Sequence, residues 1–239
     1  MSQIDLSIVL PCYNEGGNIP HIIERFKSIL PEDLNVEVLL VNNGSSDNSS
    51  DIFDSELNTL NTPHPFKVVD VPINKGYGFG ILSGLEQATG TALAWTHADM
   101  QTDPEDVIEA YRLWLKEGGE SIFVKGTRKK RALAEAFFTF GMQIVTLLVL
   151  KINLHDINAQ PKVFGRGFYE NILKKDAPHD FSLDLYAYYH AKKSLTIKTL
   201  PVYFNKRLHG EAKGGGSFKT RLKLIDRTFR YIWLLRKRL

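Results

Sequence analysis

Short apolar-rich runs alternate with longer amphipathic stretches along the first half of the chain. Residues 6–10, 36–41, 66–71, 91–96 and 121–124 are too short for helices and rich in β-branched or aliphatic side chains, so they predict buried strands. Between the first two, Ile19, Ile22, Ile23, Phe26, Ile29 and Leu30 recur at three and four residues, the spacing of one helix face. A second helix is expected to start behind Asp47 as its cap and run to Leu60, and a third covers residues 78–89. A fourth opens at Asp103-Pro104-Glu105 and continues to Leu115. Strands alternating with helices predict an α/β fold built on a mostly parallel sheet with helices on both faces. Ligands of such sheets bind beyond the carboxyl ends of the strands. Candidate chemistry is therefore expected in residues 11–18, 42–47, 72–80, 97–103 and 125–131.

Two later segments have a different pattern. Residues 136–150 carry no charge but are interrupted by Thr139, Gly141, Gln143 and Thr146, and are short for a membrane span. They predict a helix that lies either in the core or at a bilayer boundary. In the tail, Phe218, Leu222, Ile225, Phe229 and Ile232 or Trp233 repeat at helical spacing among Lys219, Lys223, Arg227, Arg230 and residues 236–238, a basic amphipathic helix.

Composition narrows the classes. The 239 residues are 43% hydrophobic and 24% charged, which suits a chain with a packed core. The one cysteine, Cys12, cannot close an internal disulfide, and the opening MSQID is too polar for a signal peptide, so a cytoplasmic location is expected. No HExxH pair occurs among the seven histidines, which argues against a zinc hydrolase. The net charge of +3 is unevenly placed. Residues 206–239 hold eleven Lys and Arg against Glu211 and Asp226, so the tail carries +9 and residues 1–205 carry −6. That asymmetry predicts an anionic partner at the tail. A membrane surface suits it better than nucleic acid, because the aromatic residues belong to the apolar stripe and not to a basic groove.

The loops lack the common nucleotide fingerprints. Pro11-Cys12-Tyr13-Asn14-Glu15-Gly16-Gly17 stands where GxGxxG would follow a first strand, and no GxxxxGK[ST] occurs. Gly76, Gly78 and Gly80 are expected to open a helix whose amides approach a phosphate. His97, Asp99 and Gln101 alternate, so an extended chain would point all three the same way, as metal ligands do. Lys75 and Arg128 are the cations nearest to these loops, and the run Arg128-Lys129-Lys130-Arg131 offers itself to an anionic group.

Read together, SIVLPCYNEGGNI, VEVLLVNNGSSDNS, NKGYGFGILSGLEQATG and LAWTHADMQTDPEDV resemble, in order and spacing, the family 2 glycosyltransferases, and among them the polyprenyl-phosphate sugar synthases. Looser likeness continues through DINAQPKVF from Asp156 and through Arg207-Leu208-His209-Gly210-Glu211-Ala212-Lys213. The resemblance implies a GT-A fold, a nucleotide-diphosphate-sugar donor, a divalent metal (Mn or Mg) and inverting transfer. It assigns Pro11, Tyr13, Glu15 and Asn43 to the nucleotide, Lys75, Arg128, Arg207 and Lys213 to phosphate, and His97, Asp99 and Gln101 to the metal. Asp156 would order the loop facing the donor. The family's paired aspartates are Asn42 and Asn43 here, and its DxDxQ begins with His97, a replacement that favours Mn²⁺ if the imidazole coordinates.

Asp184 and Asp180 are the carboxylates placed to deprotonate a hydroxyl acceptor, whereas a lipid phosphate needs no base; Asp184 could equally cap a helix. The expected organisation is a nucleotide-sugar-binding core over residues 1–131, an apolar and membrane-interface helix over 132–151, the acceptor side over 152–213 and the basic helix over 214–239. The expected function is transfer of one sugar to a polyprenyl phosphate on the cytoplasmic face of a membrane, for cell-envelope glycan synthesis. Transfer to a saccharide hydroxyl is the alternative within the class. A non-catalytic sugar-nucleotide-binding subunit of a membrane-protein partner is the alternative outside it.

Overall fold

The computed structural model describes residues 3–129, 133–205 and 218–238. Seven strands form one sheet in the order β3-β2-β1-β4-β6-β5-β7. Its first half is parallel: β1 (Leu6–Cys12) lies between β2 (Val36–Asn43) and β4 (Ala92–Trp95), with β3 (Phe66–Val71) outside β2. The second half reverses once. β6 (Lys162–Gly165) runs antiparallel to both β4 and β5 (Ile122–Lys129), and β7 (Thr196–Tyr203) closes the edge parallel to β5.

Alternation along the strands sorts the core into two layers. Leu6, Ile8, Leu10 and Cys12 of β1 face α1 (Ile19–Ile29), α2 (Ser49–Thr59) and α4 (Glu105–Glu117), where Ile22, Phe26, Phe53, Val107 and Trp114 are buried. Val9 of β1, with Leu39 and Val41 of β2, faces the other layer: α3 (Tyr77–Gln87), α5 (Leu133–Leu150), the helix Leu183–Ser194 and the C-terminal helix Phe218–Arg238. The N-terminal ends of the strands are tied by Glu37, fully buried, which accepts from Ser7 Oγ at 2.6 Å, Lys67 Nζ at 2.7 Å and the Thr89 amide at 2.5 Å.

The five anticipated strands and four early helices are all present, with shifted ends. β1 and β2 run on to Cys12 and Asn43, so Pro11, Asn42 and Asn43 are strand residues paired in register. β5 continues to Lys129, so Arg128 also sits on a strand, opposite Val202. Lys130 and Arg131 lie outside the described residues. Among the described residues no helix is long and apolar enough to cross a membrane.

Candidate active site at the carboxyl ends of the strands

The loops after β1 and β2 are laced together. Asn14, at a φ of 52°, accepts from the Ser46 amide at 2.7 Å and gives its own amide to Ser45 Oγ at 3.1 Å. Asp47 accepts from the Gly16 amide at 3.3 Å and from the Ser49 amide and hydroxyl, so it holds both the first loop and the start of α2. Glu15 takes the Asn18 side-chain amide at 2.5 Å, and Tyr13 stands exposed at the rim.

The two asparagines have a local reason to be amides. Asn42 Nδ2 donates to Ser50 Oγ at 2.9 Å and to Asp70 Oδ1 at 3.1 Å, so a carboxylate at position 42 would face that of Asp70. Asn43 Nδ2 donates to the Gly76 carbonyl at 3.1 Å, a bond that an aspartate could not make. Its Oδ1 is buried without a hydrogen-bond partner, an acceptor at the carboxyl end of β2.

The Gly76-Gly78-Gly80 stretch opens α3, as expected, and is also packed closely against protein backbone. A Cβ on Gly78 would lie 2.5 Å from the Pro178 carbonyl and 2.7 Å from that of Asp180, and the Phe79 amide donates to the His179 carbonyl at 2.8 Å. The first turn of α3 is therefore docked on residues 178–181, and Tyr77 stacks on Phe181 with ring centroids 4.8 Å apart. Lys75 is exposed, its ammonium 5.0 Å from the Phe79 ring.

After β4 the chain does not stay extended, which corrects the reading that His97, Asp99 and Gln101 alternate along a straight segment. Met100 has a φ of 57° and the Gln101 amide donates to Asp99 Oδ1 at 3.1 Å, so the segment is a tight turn. Arg25 holds its far end through Asp103 at 3.0 Å, and the Asn205 amide donates to the Gln101 carbonyl at 2.8 Å. Asp99 is 5% exposed. Burial pushes the His97 imidazole below its ordinary value against the pull of Asp99 and Asp184, which leaves a neutral ring with a lone pair to offer. Among the described residues no three His, Cys, Asp or Glu side chains gather as a closed metal cage. An imidazole nitrogen beside a carboxylate suits Mn²⁺ better than Mg²⁺, and two such groups would leave the rest of an ion's shell to water and substrate phosphate.

Beside this turn lies a buried charged cluster. Lys125 of β5 and Lys162 of β6 are register partners, each 0% exposed. Lys162 Nζ meets Asp184 Oδ1 at 2.5 Å, and the same oxygen accepts from Gln160 Nε2 at 3.1 Å and Trp95 Nε1 at 3.3 Å. Burial lowers the Lys162 pKa, opposed by Asp184. Lys125 donates to the Gly126 and His155 carbonyls and is pushed down to about 7 by burial and by Lys162. Asp156, fully buried at a φ of 49°, accepts from the Arg128 amide at 2.8 Å and Nε at 2.9 Å. The Arg128 guanidinium lies 5.4 Å from the Phe204 ring, whose centroid is 6.2 Å from that of His97.

The structure thus brings His97, Asp99, Arg128, Asp156 and Asp184 together, and places Pro11, Tyr13, Glu15 and Asn43 along the neighbouring strand ends. Arg207 and Lys213 lie outside the described residues. Trp95, Gln160, Lys162 and Phe204 had no role assigned from sequence. Gln160 and Lys162 stand in the DINAQPKVF segment, whose likeness to the family was the one signal that could have pointed to them.

A mostly parallel sheet with acidic and basic groups at its carboxyl edge defines an α/β, GT-A-like nucleotide-binding fold. The chain belongs to glycosyl transferase family 2, whose sequence profile matches residues 7–183. An uncharacterized glycosyltransferase, YkcC of Bacillus subtilis, is 35% identical over 137 residues, 57% of this chain and 40% of its own. The undecaprenyl-phosphate 4-deoxy-4-formamido-L-arabinose transferase of Proteus mirabilis is 26% identical over 227 residues, 92% of this chain and 64% of its own. The chain thus spans less than two thirds of the length of either relative. In fold it is similar to glucosyl-3-phosphoglycerate synthase of Mycobacterium tuberculosis, crystallised with Mn²⁺, UDP and glucosyl-3-phosphoglycerate. That match has a TM-score of 0.72 at 16% identity and covers 98% of this chain and 80% of the other.

Proposed function

We propose that the chain is a metal-dependent inverting glycosyltransferase that moves one sugar from a nucleotide-diphosphate-sugar to a polyprenyl phosphate at the cytoplasmic face of a membrane. The observation that carries the acceptor is the state of Asp184. One of its oxygens is taken by Lys162, Gln160 and Trp95, so the carboxylate is committed as the partner of a buried lysine. A hydroxyl acceptor needs a carboxylate free to receive its proton, whereas a phosphate oxygen is already anionic and attacks the anomeric carbon unaided. The undecaprenyl-phosphate transferases that align along most of this chain support the same acceptor.

In this reading Pro11, Tyr13, Glu15 and Asn43 line the nucleoside side, and Lys75, Arg128, Arg207 and Lys213 meet phosphate. Arg128 is held by Asp156 in two places, so its guanidinium is oriented before substrate arrives. His97 and Asp99, with Gln101 beside them, would hold the divalent ion, which neutralises the charge growing on the leaving nucleoside diphosphate.

The test uses purified full-length protein, UDP- and GDP-sugars, Mn²⁺ or Mg²⁺, and two lipids that differ only in the phosphate, undecaprenyl phosphate and undecaprenol. Nucleoside diphosphate release is expected at least about tenfold faster with the phosphate, and Asp99→Ala is expected to reduce it by about 10²-fold or more with its thermal midpoint kept. Turnover with the alcohol or a saccharide and not with the phosphate would replace the acceptor. Full activity in excess chelator would remove the metal, and donor binding without turnover on any acceptor would leave a binding subunit.

A further inference from the structure

From Phe140 to its end at Leu150, α5 carries no charged residue on either face. Leu150 and Thr146 are buried, and Met142, Val145 and Val149 pack against the second core layer. On the opposite side Phe140, Ile144, Leu147 and Leu148 are 58%, 41%, 48% and 63% exposed. Their spacing of four, three and one residues lines them along one helix face, and from Phe140 to Leu150 no charged residue interrupts it. The C-terminal helix packs against α5 and repeats the arrangement. Ile232 and Leu235 are buried, while Trp233 and Leu234 stand 57% and 44% exposed. Exposed Arg227, Arg230, Arg236, Lys237 and Arg238 surround them. Arg230 pairs with Asp226 at 2.9 Å and Arg227 approaches Asp180 at 3.6 Å; Arg236, Lys237 and Arg238 form no ion pair among the described residues.

We propose that the outward stripe of α5, together with Trp233, Leu234 and the basic residues around them, is the surface by which this chain lies on an anionic lipid bilayer. It rests on the functional reading only in placing the chain at a membrane, and goes beyond it in naming the face. The charge pattern selects the occupant. A second copy meeting this face about a two-fold axis would set the same patch against itself, bringing Arg236–Arg238 of one copy toward those of the other. An anionic headgroup layer supplies the opposite sign, and the apolar stripe supplies side chains that enter the acyl boundary with Trp233 at headgroup level. One face of α5 is buried against this chain's own core and the other is apolar outward, a combination that suits a helix lying in the plane of the interface.

The experiment is vesicle flotation of the full chain on phosphatidylcholine alone or mixed with phosphatidylglycerol, with no polyprenyl phosphate present. Binding to the mixed vesicles is expected, weakened by high salt, and reduced about tenfold or more in Leu147→Gln/Leu148→Gln, whose positions are exposed and whose folding is checked by thermal midpoint. Trp95 and Trp114 are buried, so a blue shift of tryptophan emission on vesicle addition reports Trp233 and should vanish in Trp233→Phe. Equal binding by the folded double variant, or no binding by the parent, overturns the proposal. A parent that sediments as a dimer, becomes monomeric in the double variant and ignores vesicles would assign the face to a second copy. Transfer to a short soluble acceptor is measured in parallel: if it fails while flotation succeeds, the functional reading falls and this one stands, and the reverse outcome separates them equally well.

Discussion

Lys162 and Asp184 are both shut away from water, at 0% and 4% side-chain exposure, so each depends on the other for a counter-charge. Asp184→Asn is therefore first a stability change: it leaves the Lys162 ammonium buried beside a neutral amide, a loss of roughly 3–5 kcal/mol for a pair of this kind. Lys162→Met/Asp184→Leu removes both charges and is expected to recover much of that loss in chemical denaturation, although Gln160 and Trp95 then lose an acceptor. If the double variant is as unstable as the single one, the pair is not what holds the two segments together. The residue-level chemistry was only partly legible in the chain. His97 and Asp99 are two positions apart, and a local pattern finds them. Trp95, the pair Gln160 and Lys162, and Phe204 come from three separate segments, and nothing in the spacing of any one segment points to the others.

At the scale of elements, the first turn of α3 forms a tight seam with residues 178–181. Gly76 has a φ of 123° and Gly78 has no room for a side chain, because backbone carbonyls of Pro178 and Asp180 stand where its Cβ would be. Gly78→Ala must push two backbones apart, so it should cost about 1–3 kcal/mol of stability and speed hydrogen exchange at the Phe79 amide, which the His179 carbonyl now holds. An unchanged exchange rate with an unchanged midpoint would show that the seam yields freely. The glycines were visible in the sequence, but the backbone packed on Gly78 was not, since a helix opened by glycine looks the same whatever approaches it. Strand legibility also has a physical pattern. β1, β2 and β4 are buried on both faces and read as apolar runs. β6 is only four residues and begins with a lysine, while β7 is an edge strand that carries Pro201 and alternates exposed residues, so neither has that signature.

For the molecule as a whole, two buried charges set opposite limbs of its stability against pH. Lys125 ordinarily titrates at 10.5 and is held at about 7 in the fold, so the unfolded chain binds the proton first as pH falls. The resulting destabilisation begins near pH 10.5, is complete near 7 and is constant below. Glu37 lies the other way. Burial raises it, but hydrogen bonds from Lys67, Ser7 and Thr89 prevail and lower it, so its stabilisation is present above the ordinary carboxylate range and is lost as pH falls through the folded value. Lys125→Met should flatten the rise in stability between about pH 7 and 10, and Glu37→Gln should flatten the acid limb, both read from denaturation midpoints. Parallel profiles for parent and variant would refute the respective assignment. The sheet order has one more consequence, which concerns synthesis from the N-terminus. β5 has no strand neighbour among β1 to β4; its partners are β6 and β7. A nascent chain that has emerged as far as Lys129 can thus assemble β3-β2-β1-β4, but it leaves the outer edge of β4 bare and β5 unpaired until residues 162–165 arrive to join them. At a ribosomal pace of about 5–20 residues per second the interval is a few seconds. During it the Trp95 edge is open to other chains, and the cluster of Lys162, Asp184 and Trp95 can close only after the gap in the sheet has been filled.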